Sequence, residues 1–158
     1  MPNLRLVPPP AWHEVFQKFV VSIRAEALLA SPFLTAEPID RLCNALEAAG
    51  RASSARIRLL TDLSPDHLLH GSTDPQAVAT LLKRCPLAEV VHLPKLHAKV
   101  YVADDRNAIV TSGNLTSSSL RRNHEYGIWL EDPRDVLMVK QDMLEVLGLG
   151  ARLREGEV

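Results

Sequence analysis

His97 and Lys99 stand two residues apart in an apolar alternating run, so in an extended chain both side chains leave on one face. A nucleophile and a cation then share one space. The polar cluster Asp104, Asp105, Arg106 and Asn107 separates this run from Ala108-Ile109-Val110-Thr111-Ser112 and predicts a tight hairpin. With Ala103 facing Ala108, Lys99 falls opposite Ser112 and His97 opposite Asn114. A bulge or an odd-numbered loop would turn half of these side chains to the other face. Asn114 lies where the strand gives way to Leu115-Thr116-Ser117-Ser118, a helix start whose free backbone donors favour an anion. Imidazole, ammonium, hydroxyl, amide and helix N-terminus together make a site for a phosphate.

His97-x-Lys99-x4-Asp104, then Ser112-x-Asn114 and Glu125, resembles the signature of the phospholipase D superfamily, whose members cleave phosphodiesters. One departure is visible: many members have Gly before the Ser, and this chain has Thr111, which bears on the local backbone approach. The resemblance implies an α/β fold with a mixed β-sheet and helices on both faces. It marks His97, Lys99, Asn114, Glu125, Ser112 and Asp104 as the catalytic set. Members usually carry two copies of the signature, and this chain carries one, hence one half-site per chain.

Hydrolysing a phosphodiester without a metal requires a nucleophile on phosphorus, cations to hold the spreading charge and an acid for the leaving alkoxide. One histidine cannot be nucleophile and acid in the same step. A homodimer with a two-fold axis through the site would bring two copies of His97 to opposite sides of one phosphate. Lys99 and Asn114 from both chains would grip its non-bridging oxygens. By resemblance, one His97 forms a phosphohistidine while the other acts as acid, then as base for water, with no cofactor and no metal. Glu125 would accept the imidazole's other N–H and orient the ring. Ser112 bonds phosphate or supports Lys99, and Asp104 is either an electrostatic group or a turn residue. Arg121 and Arg122, with Lys95 and Arg106, contact substrate phosphates or are plain solvated charges. His92 and His124 have no matched role. His67 and His70 lack a third ligand and read as exposed loop histidines.

The elements that must position these groups follow from periodicity. Ala11 to Arg24 carries Trp12, Val15, Phe16, Phe19, Val20 and Ile23 at helical spacing. Ala27-Leu28-Leu29-Ala30 reads as a buried strand whose end, Ser31-Pro32-Phe33, approaches the site. Thr35 is the expected cap of a second helix that stops at Gly50. Arg56 to Thr61 reads as a strand with Arg56 and Arg58 on a solvated face. Asp62 to Ser72 is loop with one helical turn near Leu68. Asp74-Pro75 opens a third helix ending at Cys85, and Ala88 to Leu93 is a short strand. Asn123 to Glu131 is a further strand, and Asp132-Pro133 caps a last helix reaching Leu147. The whole, 1–158, reads as one domain with residues 1–10 as a stiff lead-in and 149–158 as a flexible tail.

Composition is that of an ordinary globular chain, 46% hydrophobic and 23% charged. A net charge of −1 argues for local rather than global attraction to nucleic acid. Cys43 and Cys85 read as reduced core thiols. The apolar stretch Val15 to Ile23 is broken by Gln17 and Lys18, so neither signal nor membrane span is expected, and the location follows as cytoplasmic. Single-signature members of the family are often nucleases, so the expected activity is a homodimeric, metal-independent nuclease on DNA or RNA. Two other readings stand beside it: a phospholipid-hydrolysing enzyme, or a non-catalytic nucleic-acid-binding subunit. Protein partners from a restriction or defence system are conceivable, and no residue names one.

Overall fold

A computed structural model describes residues 4–153. β1 (Leu4–Val7) leads through a 3-10 turn at Pro9–Ala11 into α1 (Trp12–Ser22), β2 (Glu26–Ala30), α2 (Ala36–Ala48) and β3 (Arg56–Thr61). α3 (Pro65–Leu69), α4 (Pro75–Arg84) and β4 (Glu89–His92) follow. The chain continues with β5 (Val100–Ala103), β6 (Asn107–Thr111), α5 (Ser117–Arg121), β7 (Gly127–Leu130), α6 (Pro133–Leu147) and β8 (Ala151–Arg152). One mixed sheet in the order β1-β7-β6-β5-β2-β3-β4-β8 unites all eight strands. β2, β3 and β4 run parallel, and every other pairing is antiparallel.

Strand alternation divides the core in two. Ala27, Leu29, Ile57, Leu59, Tyr101 and Ile109 face one layer and pack with Phe16, Phe19, Leu42, Leu46, Val78 and Leu81 from the helices. Leu28, Ala30, Leu60, Val100, Val102 and Ala108 face the other, where α6 supplies Val136, Val139 and Met143. Helices thus cover both faces, which is why β2 reads as an unbroken apolar run. Each Leu, Ile, Val, Phe or Met among them contributes about 1.5–3 kcal/mol by leaving water.

Several expectations are corrected here. Leu4–Val7 of the supposed lead-in is an edge strand paired with β7, because its backbone groups find an open ladder there. Ala151–Arg152 of the supposed tail pairs with β4; residues 154–158 lie outside the described residues. Asp74 and Asp132 cap their helices by accepting from Gln76 N and Arg134 N, whereas Thr35 makes no side-chain cap on α2. Its hydroxyl accepts from Ser117 N at 2.9 Å instead. Arg58 is buried rather than solvated, because α6 covers its face, and it pairs with Glu26 at 3.0 Å. Lys140 of α6 joins the same Glu26 and also Asp105.

Candidate active site

β2, β3 and β4 end, and β5 begins, along one edge of the sheet, since β5 runs antiparallel to β2 with Ala30 opposite Val100. His97 and Lys99 lie on the approach to β5, just before its first residue. His97 is exposed, and its ring makes no hydrogen bond to another described residue. Lys99 is buried to 9% exposure and donates from Nζ to the His97 carbonyl at 2.8 Å. The cation is therefore tethered to the backbone of His97. Burial pushes the Lys99 ammonium below the usual lysine range, and the negative charge of Glu125 opposes that shift.

The hairpin register differs from the expected one by a single residue. Ala103 pairs with Asn107, leaving a three-residue turn, Asp104–Arg106. Asp104 takes a left-handed backbone with φ 55°, and its carboxylate accepts from the amides of Arg24, Ala25 and Glu26 at 3.0, 2.8 and 3.0 Å. That distant anchor selects the shorter turn. Lys99 consequently faces Thr111, whose amide donates to the Lys99 carbonyl at 3.1 Å. Asp104 sits at the far end of β5 from His97, with its acceptor capacity spent on backbone amides. Its role in this chain is to tie the hairpin to the start of β2.

Ser112 and Asn114 still reach the site, because the chain leaves β6 after Thr111. Thr111 Oγ1 donates to the Tyr126 carbonyl and accepts from Gly113 N, both at 3.1 Å, which bends the backbone inward. The methyl-bearing Thr fits because Gly127 lies opposite, where a Cβ would stand 2.7 Å from Thr111 Cβ. Gly113 presses on the Trp12 ring, and its carbonyl accepts from the buried Tyr101 hydroxyl at 2.7 Å. Ser112 Oγ donates to Glu125 Oε2 at 2.5 Å and accepts from Tyr126 N at 3.0 Å.

Glu125, 6% exposed, is the hub. Its other oxygen accepts from Ser119 Oγ at 2.9 Å and Asn123 Nδ2 at 3.1 Å. Ser119 Oγ in turn accepts from Asn114 N at 3.0 Å, so one buried hydroxyl fixes both the carboxylate and the backbone of Asn114. The expected bond from the His97 imidazole to Glu125 is not made within the chain, because serines and Asn123 occupy the carboxylate. Glu125 acts on Lys99 electrostatically instead.

The expected helix does start just after Asn114, capped by Thr116, but α5 is only five residues long and several amides around its start are already taken. Leu115 N goes to Ser31 Oγ, Ser117 N to Thr35 Oγ1 and Ser119 N to Thr116 Oγ1. Ser31 Oγ also lies 3.5 Å from Asn114 Oδ1, so the end of β2 does approach the site. Ser119 was not singled out in the sequence, and Ser31 only as part of the strand end expected to approach the site. The Thr116-x-x-Ser119 spacing, a capping pattern, was the signal for the first. Arg121 is held by Glu37, from Nε to Oε2 at 2.8 Å, and Arg122 donates to Ser118 Oγ at 2.8 Å. Both guanidiniums remain exposed and locally paired.

The family described as cardiolipin synthase, phospholipase D-like domain, matches residues 22–147. The chain belongs to this phospholipase D-like family. Its fold is that of NucT from Helicobacter pylori, with a TM-score of 0.76 at 17% identity over 97% of this chain and 100% of the other. Nuc from Salmonella typhimurium, a phospholipase D family member, gives 0.76 at 14% identity over 98% and 100%. Phosphatidylserine synthase from Haemophilus influenzae Rd KW20 gives 0.72 at 14% identity over 97% of this chain and 41% of that one. No curated protein sequence matches. The same fold occurs inside the longer synthase chain, and the family to which this chain belongs is one of phosphodiester hydrolases and transferases. No helix among the described residues is long and apolar enough to cross a membrane.

Proposed function

We propose that the protein is a metal-independent phosphodiesterase acting as a homodimeric nuclease on DNA or RNA. The observation that carries this reading is the pairing of an exposed, unbonded His97 imidazole with a buried Lys99 tied to the same residue's carbonyl. His97 attacks phosphorus as the bond to the leaving oxygen breaks, and that oxygen takes a proton from His97 of the partner subunit. The product is a phosphohistidine and a free hydroxyl. The now neutral imidazole of the partner's His97 deprotonates a water, which attacks phosphorus and breaks the P–N bond. Lys99 and Asn114 take the charge on the non-bridging oxygens, in a setting where burial strengthens each interaction. Glu125 and Ser119 keep the Lys99 and Asn114 groups in place.

The nuclease reading is supported by the fold shared with NucT and Nuc over 97% and 98% of this chain. Cys43 and Cys85, buried free thiols with sulfurs 4.0 Å apart, support a reducing, cytoplasmic setting. The test is cleavage in EDTA of single- and double-stranded DNA, RNA and phospholipid vesicles, beside His97→Ala and a solution mass. Nucleic-acid cleavage that survives chelator and vanishes in His97→Ala, by a dimer, is the expected result. Vesicle hydrolysis with inert nucleic acid selects the phospholipid reading, which the family's description and the synthase fold favour. A strict monomer with full activity refutes the shared site.

A further inference from the structure

A second group of polar side chains gathers on the same sheet edge and is not used by the mechanism above. Asp62 follows β3 and is 3% exposed. Its Oδ1 accepts from Ser64 N at 2.9 Å and from Ser64 Oγ at 2.5 Å. Its Oδ2 accepts from Lys95 N at 2.9 Å and faces His67 Nε2 at 3.3 Å. Burial pushes this carboxyl up, but the bonds from Ser64 and Lys95 outweigh it and hold Asp62 below its ordinary range. One carboxylate oxygen thus holds a backbone turn and stands beside the His67 ring, with which it forms an ion pair when that ring is protonated.

The anchored groups point to a ligand. Lys95 holds φ 62°, a left-handed conformation that a non-glycine residue adopts only under constraint, and its side chain is exposed with no ion pair among the described residues. The His67 ring meets the edge of Phe33 with centroids 4.9 Å apart, which fixes its plane. With Nε2 turned to Asp62, Nδ1 has no described partner on a side chain that is 33% exposed. His92 Nδ1 accepts from Leu63 N at 2.9 Å and braces the loop behind Asp62. Lys95 lies two residues before His97, a span of at most about 7 Å.

We infer that the His67 ring as an imidazolium, donating from Nδ1, and the ammonium of Lys95, both positioned by Asp62, form a subsite for the phosphate neighbouring the one held at His97. This deepens the nuclease reading and rests on it. A polynucleotide presents such a phosphate on each side of the scissile bond, and contacts of this kind set register and affinity without reading sequence. A small diester such as bis(p-nitrophenyl) phosphate has none.

The test compares wild type, His67→Ala and Lys95→Ala on a single-stranded oligonucleotide and on bis(p-nitrophenyl) phosphate, both in EDTA. Each substitution is expected to raise KM for the oligonucleotide about tenfold with kcat held, and to shift kcat/KM on the small diester less than about twofold. Lys95→Ala should also lower the salt slope of oligonucleotide binding by about one phosphate. Binding of a fluorescein-labelled oligonucleotide, measured by anisotropy in a His97→Ala background, should weaken about tenfold on adding either substitution. Equal losses on both substrates, or unchanged binding, overturn the subsite. A wild type that cleaves the small diester and neither binds nor cleaves nucleic acid overturns the nuclease reading and the subsite together. Cleavage with unchanged variants overturns the subsite alone.

Discussion

Replacing Ser119 by Ala deletes an oxygen that three groups share. Ser119 Oγ donates to Glu125 Oε1 at 2.9 Å, accepts from Asn114 N at 3.0 Å and lies 3.2 Å from Thr116 Oγ1, at 1% exposure. The bond to a carboxylate is worth about 1.5–3 kcal/mol, and the Asn114 amide left without an acceptor costs about 1–3 kcal/mol. Glu125 keeps Ser112 and Asn123, so its charge stays partly satisfied, and a loss of about 3–5 kcal/mol is expected. At this chain length each kcal/mol moves Tm by roughly 2–4 °C, so Ser119→Ala should melt about 10 °C below the wild type. The assay is thermal denaturation at neutral pH with urea unfolding beside it. Ser118→Ala on the same helix is the control, since the Ser118 hydroxyl only accepts from exposed Arg122 and its loss should stay within about 0.5 kcal/mol. Activity should fall about 10–100-fold, because Asn114 and Glu125 lose their common brace. A Ser119→Ala protein melting within about 2 °C of the wild type would refute the argument.

Gly113→Ala would place a Cβ 2.7 Å from the Trp12 ring, so it should cost about 1–3 kcal/mol in urea unfolding and lower kcat by displacing Asn114. His97→Ala removes an exposed ring with no intrachain bond; its unfolding free energy should stay within about 0.5 kcal/mol of the wild type while cleavage vanishes. Glu37 carries both Arg121 and Arg41, and the Arg121 bond leads in holding its carboxyl down to about 2 from 4.5. A depressed folded pKa stabilises above the unfolded value and is lost as pH falls, so the Tm gap between wild type and Glu37→Gln should be full above 4.5 and close toward 2. The neighbouring Cys85 and then burial push the Cys43 thiol up, and both thiols are buried, so Ellman's reagent should find no thiol in the native protein and two after unfolding.

Residue types and spacing marked the candidate site, whereas directions depended on bonds between distant segments. The pair His97 and Lys99, the return through Ser112 and Asn114, and Glu125 could be read locally, because two-residue spacing and a polar turn are properties of a few neighbouring residues. The one-residue register shift could not, since Asp104 is drawn into its left-handed turn by amides at Arg24, Ala25 and Glu26. Arg58 looked solvated until Glu26 and the α6 layer closed over it. The same nonlocal logic governs the site. Glu125 was expected to hold the His97 ring, but Ser112, Ser119 and Asn123 reach it first. The carboxylate is thereby spent on fixing Asn114 and balancing Lys99, and the imidazole is left facing solvent with both nitrogens available. A ring so placed gains its orientation only when something outside the chain meets it, and the proposed two-fold partner and its phosphate would supply that contact.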